Sequence, residues 1–158
     1  NGDAIPGELS DGEWGATTAG AQAVYDNDAA NLTTYGRLYN WYAVDDARGL
    51  CPSGWHVPTD GEYTELENYL GGGTDAHSHM KSSPSDSPSW DGSNNSGFSA
   101  LPGGFRYASG SFGTGGFAAS FWSSSPSGSS ALYRRLYSGD LNVGQGSEDQ
   151  LRGAVHRE

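Results

Sequence analysis

Apolar residues recur at helical spacing in two stretches of the chain. In TYGRLYNWYAV, Tyr35, Leu38, Tyr39 and Tyr42 fall three or four apart, Trp41 lies beside Leu38, and Thr34 stands where a capping hydroxyl is wanted. The spacing predicts a helix over residues 35–44. Thr59-Asp60-Gly61-Glu62 is a capping box, in which hydroxyl and carboxylate each satisfy a backbone N–H of the first turn. Tyr63, Leu66, Tyr69 and Leu70 follow on one face, and Gly71-Gly72-Gly73 marks a stop, so a second helix is predicted from Asp60 to about Leu70. The early carboxylates Asp60, Glu62, Glu65 and Glu67 suit the positive end of its dipole and need no catalytic role.

Elsewhere the pattern is extended or irregular. Residues 1–31 are polar, with Trp14, Ala21, Val24 and Tyr25 as buried candidates, and read as one or two short strands with a turn at 26–30. Residues 45–54 form a connection, and WHVPT is a short extended piece. Residues 74–97, rich in Ser, Asp, Asn and Pro around Trp90, read as a long irregular loop pinned by one aromatic. Short strands are predicted at 98–101, 104–107, 118–123 and 131–137, with a weaker pair at 141–143 and 153–156. Helices first and an antiparallel sheet second make an α+β chain, because alternating strand–helix units are absent. No fixed-period repeat divides it, so residues 1–158 are read as one domain.

Composition sharpens this picture. The 158 residues carry only 34% hydrophobic positions but 5 Trp and 9 Tyr, so a core must be built from large rings and disorder is not expected. The 25 glycines have no three-residue period, which excludes collagen and points to many special backbone angles. A net charge of -11 repels phosphate backbones and anionic membrane surfaces, so nucleic acid is not an expected partner. Lys81 is the lone lysine beside seven arginines, a residue suited to planar, stacked contacts. Cys51 has no second cysteine for a disulfide or a structural zinc site. No apolar run reaches membrane-spanning length, so direct membrane insertion is not expected; a targeting segment upstream of Asn1 would be compatible with the sequence.

The candidate chemistry is thin. His77-Ser78-His79 could offer two imidazoles to zinc or copper but lacks a third ligand, and the alternative is a pair of exposed loop histidines. His56, between Trp55 and Val57, reads as a partly buried structural histidine. No carboxylate pair is marked for acid–base work, the serines of residues 123–130 have no nucleophile elbow, and the glycine clusters lack phosphate-binding flanks. No cofactor is expected. In ALYRRLY, alternation puts Tyr133, Arg135 and Tyr137 on one face and Leu132, Arg134 and Leu136 on the other. With the leucine face inward, the first three form an exposed binding patch; the alternative makes those rings core and Arg135 an ion-pair partner. The following SGDLNVGQGSEDQ is too poor in apolar anchors for a core hairpin and reads as a solvent-facing surface.

The phrases YGRLYNWYAV, GLCPSGWHVPTDGEYTELENYLGG, SGFSALPGGFRY and FWSSS with A-x-Y-R-x-L resemble the Fibrobacter succinogenes major paralogous domain family along essentially the whole chain. That family is similar to the C-type lectin fold of formylglycine-generating enzyme and of diversity-generating retroelement variable proteins. The resemblance implies two helices flanking a small twisted antiparallel sheet in a loop-rich domain. It further implies a scaffold over about residues 1–120 and a variable ligand-binding region over about 121–158. Ser138, Gly139, Asp140, Gly144, Gly146, Ser147 and Asp149 stand where the family often has Asn or Tyr, residue types that substitution at adenines of Asn codons produces. Family members commonly end in a pattern like GFSVRCVRD, whereas this chain ends GAVHRE, so Cys51 lacks the partner the family would supply. The E-P-N, Q-P-D and W-N-D signatures of calcium lectins and the paired cysteines of the copper chemistry are also missing.

The expected function is therefore a non-enzymatic module that binds a protein or glycan at a cell or virion surface, outside the cell. Tyr133, Arg135, Tyr137, Ser138, Asp140, Asn142, Gln145, Ser147 and Asp149 are the expected recognition residues, with rigid rings and guanidinium beside adaptable polar groups. The alternatives are an adhesion module without diversification and a metalloenzyme using His77, His79 or Cys51.

Overall fold

The computed structural model describes residues 4–150 and 153–156, with Asp149 and 153–156 as backbone. Its elements are α1 (Asp11–Ala16), β1 (Gln22–Ala23), a 3-10 turn (Tyr25–Asn27), α2 (Ala30–Tyr35), β2 (Arg37–Asn40), α3 (Trp41–Val44), α4 (Asp60–Tyr69) and α5 (Gly73–Met80). The strands β3 (Phe105–Arg106), β4 (Phe112–Gly113), β5 (Ala118–Ser127), β6 (Ser130–Tyr137), β7 (Gly144–Asp149) and β8 (Gly153–His156) complete the order. Short helices and small antiparallel sheets are compatible with the α+β class, although β1 and β2 lie among the first helices rather than after them. There are two sheets rather than one: a five-stranded sheet in the order β1-β2-β8-β3-β4 and a three-stranded sheet in the order β5-β6-β7. No helix among the described residues is long and apolar enough to cross a membrane.

The capping box heads α4 as its sequence dictates. The Thr59 hydroxyl accepts from the Glu62 N–H at 3.2 Å, and the Glu62 carboxylate accepts from the Thr59 N–H at 2.7 Å. The same device, Ser10 with Glu13, starts α1 and seats Trp14 in the core, where strands were expected. Beyond the glycine stop, α5 begins at once and occupies the first third of the expected loop 74–97. The remainder is irregular and is pinned by buried Trp90, as expected.

The helix expected over 35–44 is instead strand β2 followed by the single turn α3. Gly36, at φ 76, ends α2, and β2 then runs between β1 and β8, with Leu38 opposite both Ala23 and Val155. Tyr35 closes α2, Leu38 and Tyr39 lie in β2 and Tyr42 lies in α3, so the apparent helical spacing is drawn from three successive elements. Thr34 lies inside α2, and Asn40 does the capping: its side-chain oxygen accepts from Ala43 and Ala21 N–H at 3.2 and 2.8 Å, while its amide donates to the Ala19 carbonyl at 2.9 Å. The weak strand expected at 141–143 lies in a turn, and the true strand, β7, begins at Gly144.

Two indoles tie the sheets together. Trp41 donates to the Ser123 carbonyl and Trp122 to the Tyr39 carbonyl, both at 3.0 Å, so the β2–α3 corner and β5 are locked by reciprocal buried bonds. The larger core gathers Trp14, Leu38, Tyr63, Met80, Trp90, Phe121 and Leu136; the smaller gathers Trp41, Trp122 and Ala131. Among the described residues three cations are buried, and each has a carboxylate partner: Lys81 with Asp91, Arg106 with Asp11, and Arg134 with Asp60 and Glu67. Arg106 also lies between the rings of Trp14 and Phe112, at 4.5 and 4.8 Å. Much of the arginine content therefore builds the fold.

Candidate functional site

Strand β6 lies between β5 and β7 and is half-covered on both faces. On one face Arg134 points toward α4, pairs with Asp60 and Glu67, and donates to the Thr64 hydroxyl at 3.0 Å. Burial alone would lower its pKa; the hydrogen bonds to the two carboxylates outweigh burial and hold it above the usual guanidinium value. On the other face Tyr133, Arg135 and Tyr137 are half-buried. The Arg135 guanidinium lies 4.3 Å from the Tyr133 ring centre, 4.9 Å from Phe105 and 5.8 Å from Tyr137. Its Nε donates to the Ser120 hydroxyl at 2.9 Å, and the Tyr133 ring meets Trp122 edge-on at 6.2 Å. Neither simple reading of this face holds. The rings are neither free nor fully core, and Arg135 is held by aromatic faces with no carboxylate among the described residues.

Register explains how β7 fits beside these rings. Gly146 lies opposite Tyr133 and Gly144 opposite Arg135. A Cβ on Gly146 would sit 2.6 Å from the Tyr133 hydroxyl, so the ring lies across that strand. Gln145 and Ser147 take the opposite face, and Gln145 donates to both Asp60 oxygens at 3.0 Å. The expected recognition residues therefore divide into three groups. Tyr133, Arg135 and Tyr137 share one face, Gln145 and Ser147 share the other, and Ser138, Asp140 and Asn142 are exposed in the connecting turn. The side chain of Asp149 lies outside the described residues.

The turn is anchored from the segment that follows α5. Trp90 donates through its indole to the Ser138 hydroxyl at 2.7 Å, and Asp91 accepts from the Gly139 N–H and from Lys81 Nζ, both at 2.7 Å. Lys81 Nζ also reaches the Tyr137 carbonyl at 3.3 Å. Burial would raise the Asp91 pKa, but the bonds from Lys81 and Gly139 prevail and hold it below the ordinary carboxylate value. Sequence reasoning missed these anchors, because a lone lysine and an aspartate in a polar loop carry no spacing signal.

The other candidates stand apart. His56 is exposed rather than partly buried, and its Nε2 lies 3.0 Å from Glu62. His77 is not an exposed loop histidine: it is buried on α5, Nε2 has no partner, and burial followed by the nearby Lys81 charge lowers its pKa. His79 is half-buried on the same helix, and Cys51 is also half-buried. No group of three or more His, Cys, Asp or Glu side chains able to hold a metal occurs among the described residues. A cleft of about 330 Å³ beside Tyr42, Asp45, Asp46 and Arg48 contains none of the expected recognition residues.

Comparisons with curated proteins and with solved structures find no match. The Fibrobacter succinogenes major domain model matches residues 1–154, in accord with the motifs that form α4, the β2–α3 corner and the β5–β6 hairpin. With nearly its whole length matched, the chain belongs to the Fibrobacter succinogenes major domain family.

Proposed function

We propose that the chain is a single, non-enzymatic binding module with a C-type lectin-like scaffold over about residues 1–120. In this reading residues of the 121–158 region form a variable recognition surface, of the kind found in diversity-generating retroelement proteins, for a protein or glycan ligand outside the cell. The observation that carries the reading is β7: six residues, GQGSED, pair with β6 on one side only and supply no apolar side chain to either core. A strand held by its backbone while its side chains stay out of the core can change sequence at little cost to stability. Beside it, Tyr133 and Arg135 are restrained by stacking, which lowers the entropy lost when they contact a ligand. The turn residues Asp140 and Asn142 supply adaptable polar groups.

The test is a library randomised at residues 140, 142, 145, 147 and 149 on the otherwise unchanged chain. Most members should melt cooperatively within about 5 °C of the parent, since neutral surface changes cost under about 0.5 kcal/mol and 1 kcal/mol shifts the melt by about 2–4 °C at this size. Panning against unrelated immobilised proteins and glycans should yield binders of differing specificity. Loss of the cooperative melt in most members, or failure to select any binder, would remove the basis of the proposal.

A further inference from the structure

We propose that the turn end of the three-stranded sheet is a docking surface for a basic protein segment, with Phe117 and Leu141 as apolar anchors and Asp75 and Asp140 as its charged rim. This rests on the binding-module reading and narrows its ligand from protein or glycan to protein. Phe117 precedes β5 and Leu141 lies in the β6–β7 turn; they are 64% and 61% exposed. Single exposed apolar residues are ordinary, but two large ones at one turn end of a chain this polar mark a contact surface. The corner is one locality by its bonds: the Ser138 N–H donates to the Phe117 carbonyl at 2.8 Å, and a Cβ on Gly73, at the start of α5, would lie 3.6 Å from the Asn142 side-chain oxygen. The turn is also fixed from beneath by Trp90 and Asp91, so the anchors are displayed on an ordered support.

Charge selects the partner. Asp75 and Asp140 are exposed here, whereas Lys81, the nearby cation, is 2% exposed and engaged with Asp91. The surface is therefore apolar with a negative rim, on a chain of net charge -11. A second copy would bring like charge against like charge, and a neutral sugar would leave the rim carboxylates without a counter-charge. A segment with one or two apolar side chains flanked by Lys or Arg satisfies both features, and its charge would also accelerate encounter.

The experiment pans a random twelve-residue peptide library against the full chain and measures the enriched peptides by fluorescence polarisation at low and high salt. Enriched peptides should pair apolar residues with Lys or Arg and bind more weakly at high salt. Their affinity should fall tenfold or more in a Phe117→Ser, Leu141→Ser variant and several-fold in Asp75→Asn, Asp140→Asn. Trp55→Ser, which removes an exposed ring elsewhere, should leave it unchanged. Peptides without basic enrichment, or an affinity indifferent to the Phe117 and Leu141 changes, would overturn the inference. Binding that instead depends on Tyr133 and Arg135 alone would overturn it while leaving the binding-module reading intact; both readings fall together if neither peptides nor the arrayed ligands bind.

Discussion

Arg134 of β6 and Asp60, the first residue of α4, form an ion pair, its guanidinium buried and its carboxylate partly so, that fastens the three-stranded sheet to the helix beside it. The same Asp60 carboxylate receives Gln145 from β7, so one helix N-terminus holds two neighbouring strands. Removing the cation should be costly, because Asp60 and Glu67 would keep their partly buried charges without a partner. Arg134→Met is expected to lose about 3 kcal/mol, the lower end for a broken buried pair, since both carboxylates retain some contact with water. Asp60→Asn combined with Arg134→Met should lose less than the sum of the single changes, which urea unfolding of the four proteins would measure as a coupling energy.

How far the sequence could be read depended on whether a rule was local. The Thr59–Glu62 box fixed α4 because both partners lie within four residues, and the same rule applied to Ser10–Glu13 would have found α1. The apolar spacing of residues 35–44 runs across the end of α2, β2 and α3, a division set by the pairing of β2 with β1 and β8 that spacing cannot encode. The alternation of ALYRRLY placed its side chains on the correct faces, but not the Arg135 stack, whose Phe105 lies thirty positions away. The anchors of the turn were least legible. Lys81, Trp90 and Asp91 act on Tyr137, Ser138 and Gly139 through bonds spanning 48 or more positions.

The two glycines of β7 should respond differently to a methyl group. At Gly146 the new Cβ would lie 2.6 Å from the Tyr133 hydroxyl and displace a ring packed on Trp122; at Gly144 the nearest atom is the Arg135 carbonyl oxygen at 3.4 Å. Gly146→Ala is expected to cost about 1–3 kcal/mol, the usual range for overpacking, and Gly144→Ala to stay within about 0.5 kcal/mol. Thermal melts of the two variants compare them directly, and equal shifts would contradict the placement of the Tyr133 ring.

Tyr133 itself is expected to serve stability as well as recognition. Its ring packs edge-on against Trp122 in the smaller core, so Tyr133→Ala should cost about 2 kcal/mol, below the figure for a fully buried ring because this one is half-buried. That corresponds to a melt lowered by roughly 4–8 °C. Ser147→Ala, at an exposed position, should move the melt by no more than about 2 °C. Differential scanning calorimetry would thus separate the ring that frames the surface from a residue that merely occupies it.

His77 gives the stability a pH signature distinct from that of the carboxylates. Its imidazole is buried on α5, with Lys81 beside it and the Asp91 and Asp140 carboxylates acting in the opposite sense; burial first, and then Lys81, hold its pKa below the ordinary 6.5. In the unfolded chain the ring binds a proton near that ordinary value, so between the two pKa values the unfolded state carries more protons. Stability from the neutral ring is therefore complete above pH 6.5 and declines as pH falls toward the folded value, by at most about 1.4 kcal/mol per pH unit. Asp86, Asp91 and Glu62 have lowered pKa values of their own, set against ordinary values of 3.8 for the aspartates and 4.5 for the glutamate. Their contribution is lost only as pH falls below those values, through the folded ones. Urea midpoints across pH 4.5–8 should slope downward below 6.5 in the parent chain and flatten in His77→Gln, while both proteins lose stability together at lower pH. A parent and variant with parallel profiles throughout would show that His77 is not the group titrating in that interval.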